Sequence, residues 1–369
     1  MPKATETILE IDLNALGHNY KYLTSKLNKN TKVLTVVKAF GYGSEASEIA
    51  KELQVLGADY FAVAYAGEGE TLRNNGIVKP ILVLHPLPIN FDLIIERCLE
   101  PSIYSRKMLI EFINFSENEN QKNYPIHLKF NTGLNRLGFS EKDLPFIIES
   151  LSKTKSVYVK SLFSHLVASE DENEKNFTET QINRFKNIAE NLISKLGYTP
   201  ILHTLNTSGI INYPQAQLDM VRTGIGLYGF GNDPKENLNL KPVGTLKTVI
   251  SQIHEIEVGE TVGYNRAFTA THPTRTATLP IGHADGISRA YGNQVGWVTI
   301  HDKKAPIVGN VCMDMIMVDV TNLDCNEGDE VIIFGSHPTA EELSAAIYSI
   351  PYELLTALSQ RIKRVVCRK

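Results

Sequence analysis

Val33-Leu-Thr-Val-Val37 runs apolar and β-branched into Lys38, and the turn Ala39-Phe40-Gly41-Tyr42-Gly43 follows. The first five residues read as a buried strand of a parallel sheet. An ammonium at the end of such a strand is unusual, because lysine is almost never fully buried unless paired. Ligands of α/β proteins bind at strand C-termini. Lys38 is therefore a candidate Schiff-base nucleophile, since desolvation lowers an amine's pKa. The turn behind it offers backbone N–H groups and the Tyr42 hydroxyl to an anion such as a phosphate. Taken alone, the same lysine also reads as a side chain that snorkels out of the strand mouth.

The same kind of run recurs outward from this one. Short apolar stretches lie near 33–37, 60–64, 81–84, 101–104, 126–130, 157–164, 201–205 and 218–222. Amphipathic stretches such as Glu45–Leu56, Glu141–Ser152 and Thr178–Leu196 separate most of them. Strand–helix alternation implies a parallel sheet, and eight units predict a closed (β/α)8 barrel of the TIM type. The last crossover, 206–217, is short for a full helix. After about residue 240 the helices disappear. Thr245–Glu257, Thr276–Ile281, Trp297–Ile300, Ala305–Val308, Ile316–Val320 and Glu330–Phe334 read as strands of a second, mainly β domain. A helix over Tyr352–Ile362 is predicted to close the chain. The expected division is a barrel over 1–240 and a β-domain over 241–369, with residues 1–13 joining the second through the alternating run Ile8–Leu13.

At 369 residues, two domains are the prior. A net charge of −4 argues against a nucleic-acid or anionic-membrane partner. The basic residues Lys363-Arg364 and Arg368-Lys369 read as a solvated tail. Four scattered cysteines with no C-x-x-C spacing read as free thiols in a reducing compartment, with no disulfide framework and no zinc site. No 18-residue apolar run exists, so a cytoplasmic protein is expected.

Unusual polar residues fall at the ends of the predicted barrel strands. Lys38 follows the first; Lys129, Asn131 and Arg136 the fifth; His165 the sixth; Asn206-Thr207-Ser208 the seventh. Arg222 ends the eighth and leads into Gly224-Ile225-Gly226. A lone histidine or arginine at a strand end is more often a structural partner than a functional one. Five strand ends converging on one face make a site.

These residues carry a resemblance. Val37-Lys-Ala-Phe-Gly-Tyr-Gly43, Lys129-Phe-Asn-Thr-Gly-Leu-Asn-Arg-Leu-Gly-Phe139, His203-Thr-Leu-Asn-Thr-Ser208, Arg222-Thr-Gly-Ile-Gly-Leu-Tyr-Gly229, Val262-Gly-Tyr-Asn-Arg266, Ile281-Gly-His-Ala-Asp-Gly286 and Val311-Cys-Met-Asp314 occur in order over residues 8–366. The chain resembles the alanine racemases, pyridoxal-phosphate enzymes built on a barrel plus β-domain. The resemblance implies that Lys38 holds pyridoxal 5'-phosphate as an aldimine. It implies that Tyr42, Thr207, Gly224, Ile225 and Tyr352 bind the phosphate, that Arg222 faces the pyridine nitrogen, and that His165 and His203 buttress it. An arginine there keeps the ring nitrogen an unprotonated acceptor. Two bases are implied, Lys38 for D-alanine and Tyr264 for L-alanine. Arg136 and Met313 are implied to bind the substrate carboxylate. Tyr264 and Met313 are implied to come from the second subunit of a homodimer with shared sites. The product would feed peptidoglycan. A tyrosine hydroxyl is a poor base at neutral pH without nearby positive charge or hydrogen bonds. Without the resemblance, a turn aromatic is the alternative reading of Tyr264, and Met313 reads as core.

Departures from the family pattern stand at Phe40-Gly41, Asn131, Thr207 and His283. His283 stands where the pattern has a tyrosine at the substrate entry, and a wider, ionisable entrance is expected. Lys129 matches a lysine often carbamylated in the family. Gly41-x-Gly43-x-x-Ala46 is formally a dinucleotide fingerprint, but Asp59 precedes the second strand instead of ending it. A non-catalytic cofactor carrier would lack the second domain, and related decarboxylases face the ring nitrogen with a carboxylate, not an arginine.

Overall fold

The computed structural model describes residues 4–369. A first strand, β1 (Ile8–Asp12), precedes a helix, Leu13–Thr24, whose N-terminus Asp12 caps by accepting from Asn14 N–H. Eight parallel strands then form one sheet: β2 (Lys32–Val36), β3 (Tyr60–Val63), β4 (Ile81–Val83), β5 (Glu100–Ile103), β6 (Tyr124–Lys129), β7 (Val157–Phe163), β8 (Ile201–His203) and β9 (Met220–Thr223). The order is β8-β7-β6-β5-β4-β3-β2-β9. The barrel closes between β8 and β9, where Asp219 and Arg222 N–H donate to the carbonyls of Leu202 and Leu205 at 3.1 and 2.9 Å. The predicted barrel holds at all eight strands. Every residue of β3, β4 and β5 is buried, because helices cover the outside and side chains fill the inside. The short last crossover is the six-residue helix Thr207–Asn212 and a 3-10 turn, Pro214–Ala216.

The C-terminal half contributes β10 (Gly244–Val249), β11 (Gln252–Ile256), β12 (Thr261–Val262), β13 (Phe268–Thr269), β14 (Thr274–Leu279), β15 (Trp297–Ile300), β16 (Lys303–Val308), β17 (Ile316–Asp319), β18 (Glu330–Phe334) and β19 (Lys363–Cys367). Nine strands form one sheet in the order β11-β14-β17-β16-β15-β18-β10-β1-β19. β1 pairs antiparallel with β10 and parallel with β19, so the sheet gathers both ends of the chain. β12 and β13 form a separate hairpin that carries Tyr264 at its tip.

Three expectations need correction. The predicted strand Thr245–Glu257 is two, β10 and β11, interrupted at Ile250-Ser251, where the chain leaves β18 and turns to pair with β14. The predicted terminal helix ends early, at Ala357, and begins at Pro351. The basic segment beyond it is not a solvated tail but β19. Val365 and Val366 pair with Glu10 and Ile11, and Lys369 Nζ reaches Glu10 at 2.6 Å. A further short helix, Ala340–Ala346, opens with a capping box in which Thr339 and Glu342 bond reciprocally.

Candidate active site

The turn after β2 is unlike any the composition suggests. Ala39, Phe40, Gly41, Tyr42 and Gly43 all have φ between 51° and 79°. Gly41 and Gly43 N–H donate to the carbonyls of Val37 and Ala39, four residues back, so this is a left-handed helical turn. For non-glycine residues that conformation costs about 1–2 kcal/mol each. Its supports come from outside. Glu68 accepts from Ala39 N–H at 2.6 Å, and Arg364 of β19 donates to Gly43 O at 2.9 Å and lies over the Phe40 ring. A Cβ at Gly43 would stand 2.0 Å from Leu355 O, so the turn packs directly on backbone of the C-terminal half. Strain held this way is what a site fixing a reactive group needs: the turn follows Lys38 and brings Tyr42 into the same cavity. No motif singles out Glu68 or Arg364. The sequence shows a turn after Lys38 but nothing in it that marks a left-handed one.

A cavity of about 470 Å³ opens at the C-terminal ends of the barrel strands. Its lining includes Lys38, Tyr42, Lys129, Arg136, His165, Thr207, Arg222, Gly224, Ile225 and Tyr352. Four of these are lysine or arginine, and among the described residues no aspartate or glutamate lines it. Burial first, then Arg136, pushes the Lys38 amine below its ordinary pKa, with Glu68 opposing. Burial and the charges of Arg136, Arg222 and Lys38 bring Lys129 down to about 8.

Arg222 is buried and held on several sides. It donates to His203 Nδ1 at 2.7 Å, Ser164 O at 2.6 Å, Thr204 O at 2.8 Å and His165 Nδ1 at 3.2 Å. An arginine cannot accept, so both imidazoles must present a bare Nδ1 to it. Burial and the guanidinium hold both histidines well below the usual pKa, so they are neutral. Among the described residues, Arg222 Nε has no hydrogen-bond partner.

Opposite stands a small cradle. Thr207 Oγ1 lies 3.4 Å from both Gly224 N and Gly226 N. The Tyr42 ring sits between Tyr228 and Tyr352, with centroids 4.5 and 6.0 Å away. A Cβ at residue 224 would stand 2.5 Å from the Tyr42 hydroxyl oxygen, so only glycine keeps the cradle open. Burial raises Tyr352 to about 12 and raises Tyr42 further, so both hydroxyls remain donors.

Two sequence-predicted site residues are not brought into this cavity. Tyr264 is 73% exposed and Met313 is 59% exposed, on the surface of the C-terminal half. They share one patch: Asn310 donates to Tyr264 O, and His283 and Ala284 N–H donate to Cys312 O and Met313 O. His283 itself is exposed beside them.

A parallel barrel with a buried lysine before a strained turn, and three further cations at the strand C-termini, defines a barrel enzyme. Family models described as alanine racemase, N-terminal domain and C-terminal domain, match residues 11–232 and 243–366. Alanine racemase 2 of Caldanaerobacter subterraneus subsp. tengcongensis is 35% identical over 368 residues, 97% of this chain and 94% of that protein. The alanine racemase of Clostridium tetani is 36% identical over 372 residues, 97% of this chain and 95% of that protein. Among solved structures, alanine racemase of Clostridium difficile 630 superposes with a TM-score of 0.93 at 32% identity, covering 99% of this chain and 97% of that one. Alanine racemase from Bartonella henselae with covalently bound pyridoxal phosphate gives 0.89 at 31% identity, covering 99% and 100%. The chain belongs to the alanine racemase family, a family of isomerases.

The residues fit pyridoxal phosphate on three observations of their own. The open Gly224 cradle with two hydroxyl donors suits a phosphate. The unpartnered Arg222 Nε–H suits an acceptor nitrogen. The cavity's uncompensated cations suit a group that brings negative charge.

Proposed function

We propose that this chain interconverts L-alanine and D-alanine with pyridoxal 5'-phosphate in the barrel mouth, and that it acts in the cytoplasm to supply D-alanine for peptidoglycan. One observation supports this reading above the others: a single cavity holds an amine of lowered basicity among three further cations and no carboxylate. Such a cavity takes a phosphate and a substrate carboxylate together and still leaves an amine free as a base.

The cofactor supplies a sink for negative charge developing at Cα. Lys38 is its covalent anchor. Tyr42, Thr207, Tyr352 and the N–H groups of Gly224 and Ile225 bind the phosphate, and Arg222 donates Nε–H to the ring nitrogen. Arg222 would keep its own proton and so would bind that nitrogen without protonating it. Arg136 binds the substrate carboxylate. The Lys38 amine takes the proton from Cα of D-alanine or returns it. Tyr264 does the same on the opposite face for L-alanine, and each turnover exchanges the protonation states of the two bases. Tyr264 and Met313 reach the site from a second copy in a head-to-tail homodimer, which accounts for their exposure here. The barrel, residues 1–240 without 1–13, binds the cofactor; 241–369 supplies the second base. Lys129, with a neutral fraction near pH 8, is the amine that adds carbon dioxide to become a carbamate, releasing one proton.

The test is direct. Purified chain with added pyridoxal phosphate is expected to convert either alanine enantiomer to an equal mixture, read by circular dichroism. Absence of D-alanine from L-alanine under those conditions overturns the reading. With His283 at the entrance, serine is expected to racemise measurably but more slowly than alanine, since a small side-chain difference is worth only ~1–3 kcal/mol in a pocket.

The cation cluster has a stability signature. Lys129 has a pKa of about 8 in the fold, against about 10.4 in an unfolded chain. Between those values the unfolded chain binds more protons, so stability rises with pH there and is least below about 8. Lys38 acts in the same direction. Above about 10 the buried tyrosines reverse the trend, because the fold keeps protons that the unfolded chain loses. In carbon-dioxide-free buffer, where Lys129 is a free amine, cofactor-free protein is expected to gain Tm from pH 8 to 10, and Lys129→Met to raise Tm at pH 7 and shrink that gain. A Tm that falls across the window contradicts the assignment.

A further inference from the structure

Next to the cavity, a line of polar side chains crosses half the barrel interior, one from each of five consecutive strands. Glu100 of β5, His127 of β6, Ser161 of β7, His203 of β8 and Arg222 of β9 are all buried. Glu100 Oε2 lies 2.6 Å from His127 Nε2, and His127 Nδ1 lies 2.5 Å from Ser161 Oγ. Ser161 Oγ lies 3.0 Å from His203 Nε2, and His203 Nδ1 lies 2.7 Å from Arg222 Nη1. Register explains the line: His127 is the partner of both Ser102 and Ser161, and the inward positions of neighbouring strands stack in layers. Only the last two members touch the groups assigned above.

Donor and acceptor capacities fix every proton in this line. Arg222 only donates, so His203 Nδ1 accepts and its one proton sits on Nε2. His203 Nε2–H then donates to Ser161 Oγ. The serine hydroxyl must send its own proton to an acceptor, and the remaining neighbour is His127 Nδ1. A neutral His127 then carries its proton on Nε2 and donates to Glu100, which accepts as a carboxylate. Any other arrangement strands a polar hydrogen in the core. An imidazolium at 127, for example, donates to Ser161 from Nδ1 and leaves the serine proton without a partner. A stranded buried donor costs about 1–3 kcal/mol.

We infer that Glu100, His127 and Ser161 are positioning residues for Arg222, a one-way relay that fixes His203 as the Nε2–H tautomer and carries the Glu100 counter-charge to the guanidinium. Among the described residues no carboxylate pairs with Arg222 directly. A carboxylate in contact would neutralise the cavity and compete for Nε–H. Placed three neutral hops away, it offsets a buried charge while the cavity stays cationic. The Tyr60 ring stands edge-on to His127, 6.1 Å away, and burial first, then Glu100, keeps the Tyr60 proton in place. The relay's purpose rests on the role proposed for Arg222; its proton arrangement does not.

The experiment is ¹⁵N-histidine NMR on full-length holoenzyme, with Ser161→Ala and Glu100→Gln alongside. In wild type, the hydrogen-bond geometry requires Nε2–H tautomers at both His127 and His203. Ser161→Ala breaks the line and is expected to shift the His203 signals, move the visible spectrum of the bound cofactor and lower kcat by about tenfold, the worth of one buried hydrogen bond, with KM little changed. Glu100→Gln keeps an acceptor for His127 but removes the charge; it is expected to change the pH profile of kcat with a smaller loss. An imidazolium at His127, or an Nδ1–H tautomer at either histidine, overturns the relay. So do variants with wild-type His203 signals, cofactor spectrum and pH profile. If the protein fails to racemise alanine but the tautomers are as stated, the proposed function falls and the relay stands.

Discussion

Lys38→Ala is expected to lower racemisation by at least about 10⁴-fold, because one amine serves as both cofactor anchor and base. The left-handed turn makes the loss hard to compensate. It holds residues 39–43 in a conformation supported by Glu68 and Arg364, which fixes where the Lys38 amine starts. Lys129 is on β6, across the barrel from β2. Reduction of the holoenzyme with borohydride is expected to fix cofactor on the peptide containing Lys38 in wild type and on no peptide in the variant. The variant is expected to lose the visible absorbance of the bound cofactor, and added methylamine to restore part of the activity by supplying the missing amine. Label on another lysine, or a colourless wild type with cofactor present, overturns the anchor assignment. Correct folding of the variant is checked by an unchanged far-ultraviolet circular dichroism spectrum.

What the sequence disclosed and what it hid follow physical lines. The barrel strands were legible because parallel strands buried on both faces are short apolar runs, as in Tyr60–Val63 and Ile81–Val83. The cavity's cations were legible because each ends such a run. The turn at 39–43 was not, since nothing in Ala39, Phe40 or Tyr42 favours positive φ. Tertiary supports from Glu68 and Arg364 impose it. β19 was hidden for a similar reason. Its apolar core is only Val365-Val366 between basic pairs, and its partner β1 lies at the other end of the chain. The relay left a faint mark: a glutamate at the head of Glu100–Ile103 and a histidine inside Ile126-His127-Leu128 are polar residues in apolar runs. Such residues need partners, but which partners depends on strand register, which one sequence does not state.

Tyr264→Phe is expected to remove proton abstraction from L-alanine by about 10²–10⁴-fold, the range for a lost general base, while exchange of the D-alanine α-proton with solvent persists through Lys38. That asymmetry separates a base from a merely supporting tyrosine, whose loss would slow both directions alike. The location of Tyr264 allows a sharper test. It sits at the tip of the β12–β13 hairpin, largely exposed and outside its own protomer's cavity. If it serves the neighbouring copy, each site draws Lys38 from one chain and Tyr264 from the other. Chains carrying Lys38→Ala and chains carrying Tyr264→Phe are each nearly inactive alone. In a mixed dimer, one site then carries both substitutions and the other carries neither. Random mixing makes half the dimers mixed, so about a quarter of all sites are intact, and co-refolded samples are expected to recover about a quarter of wild-type activity. Sites built within one chain recover nothing, because every site then carries one of the two lesions. Loss of both exchange reactions in Tyr264→Phe, or no recovery on mixing, rejects the shared two-base arrangement and leaves Lys38 as the one base to be explained.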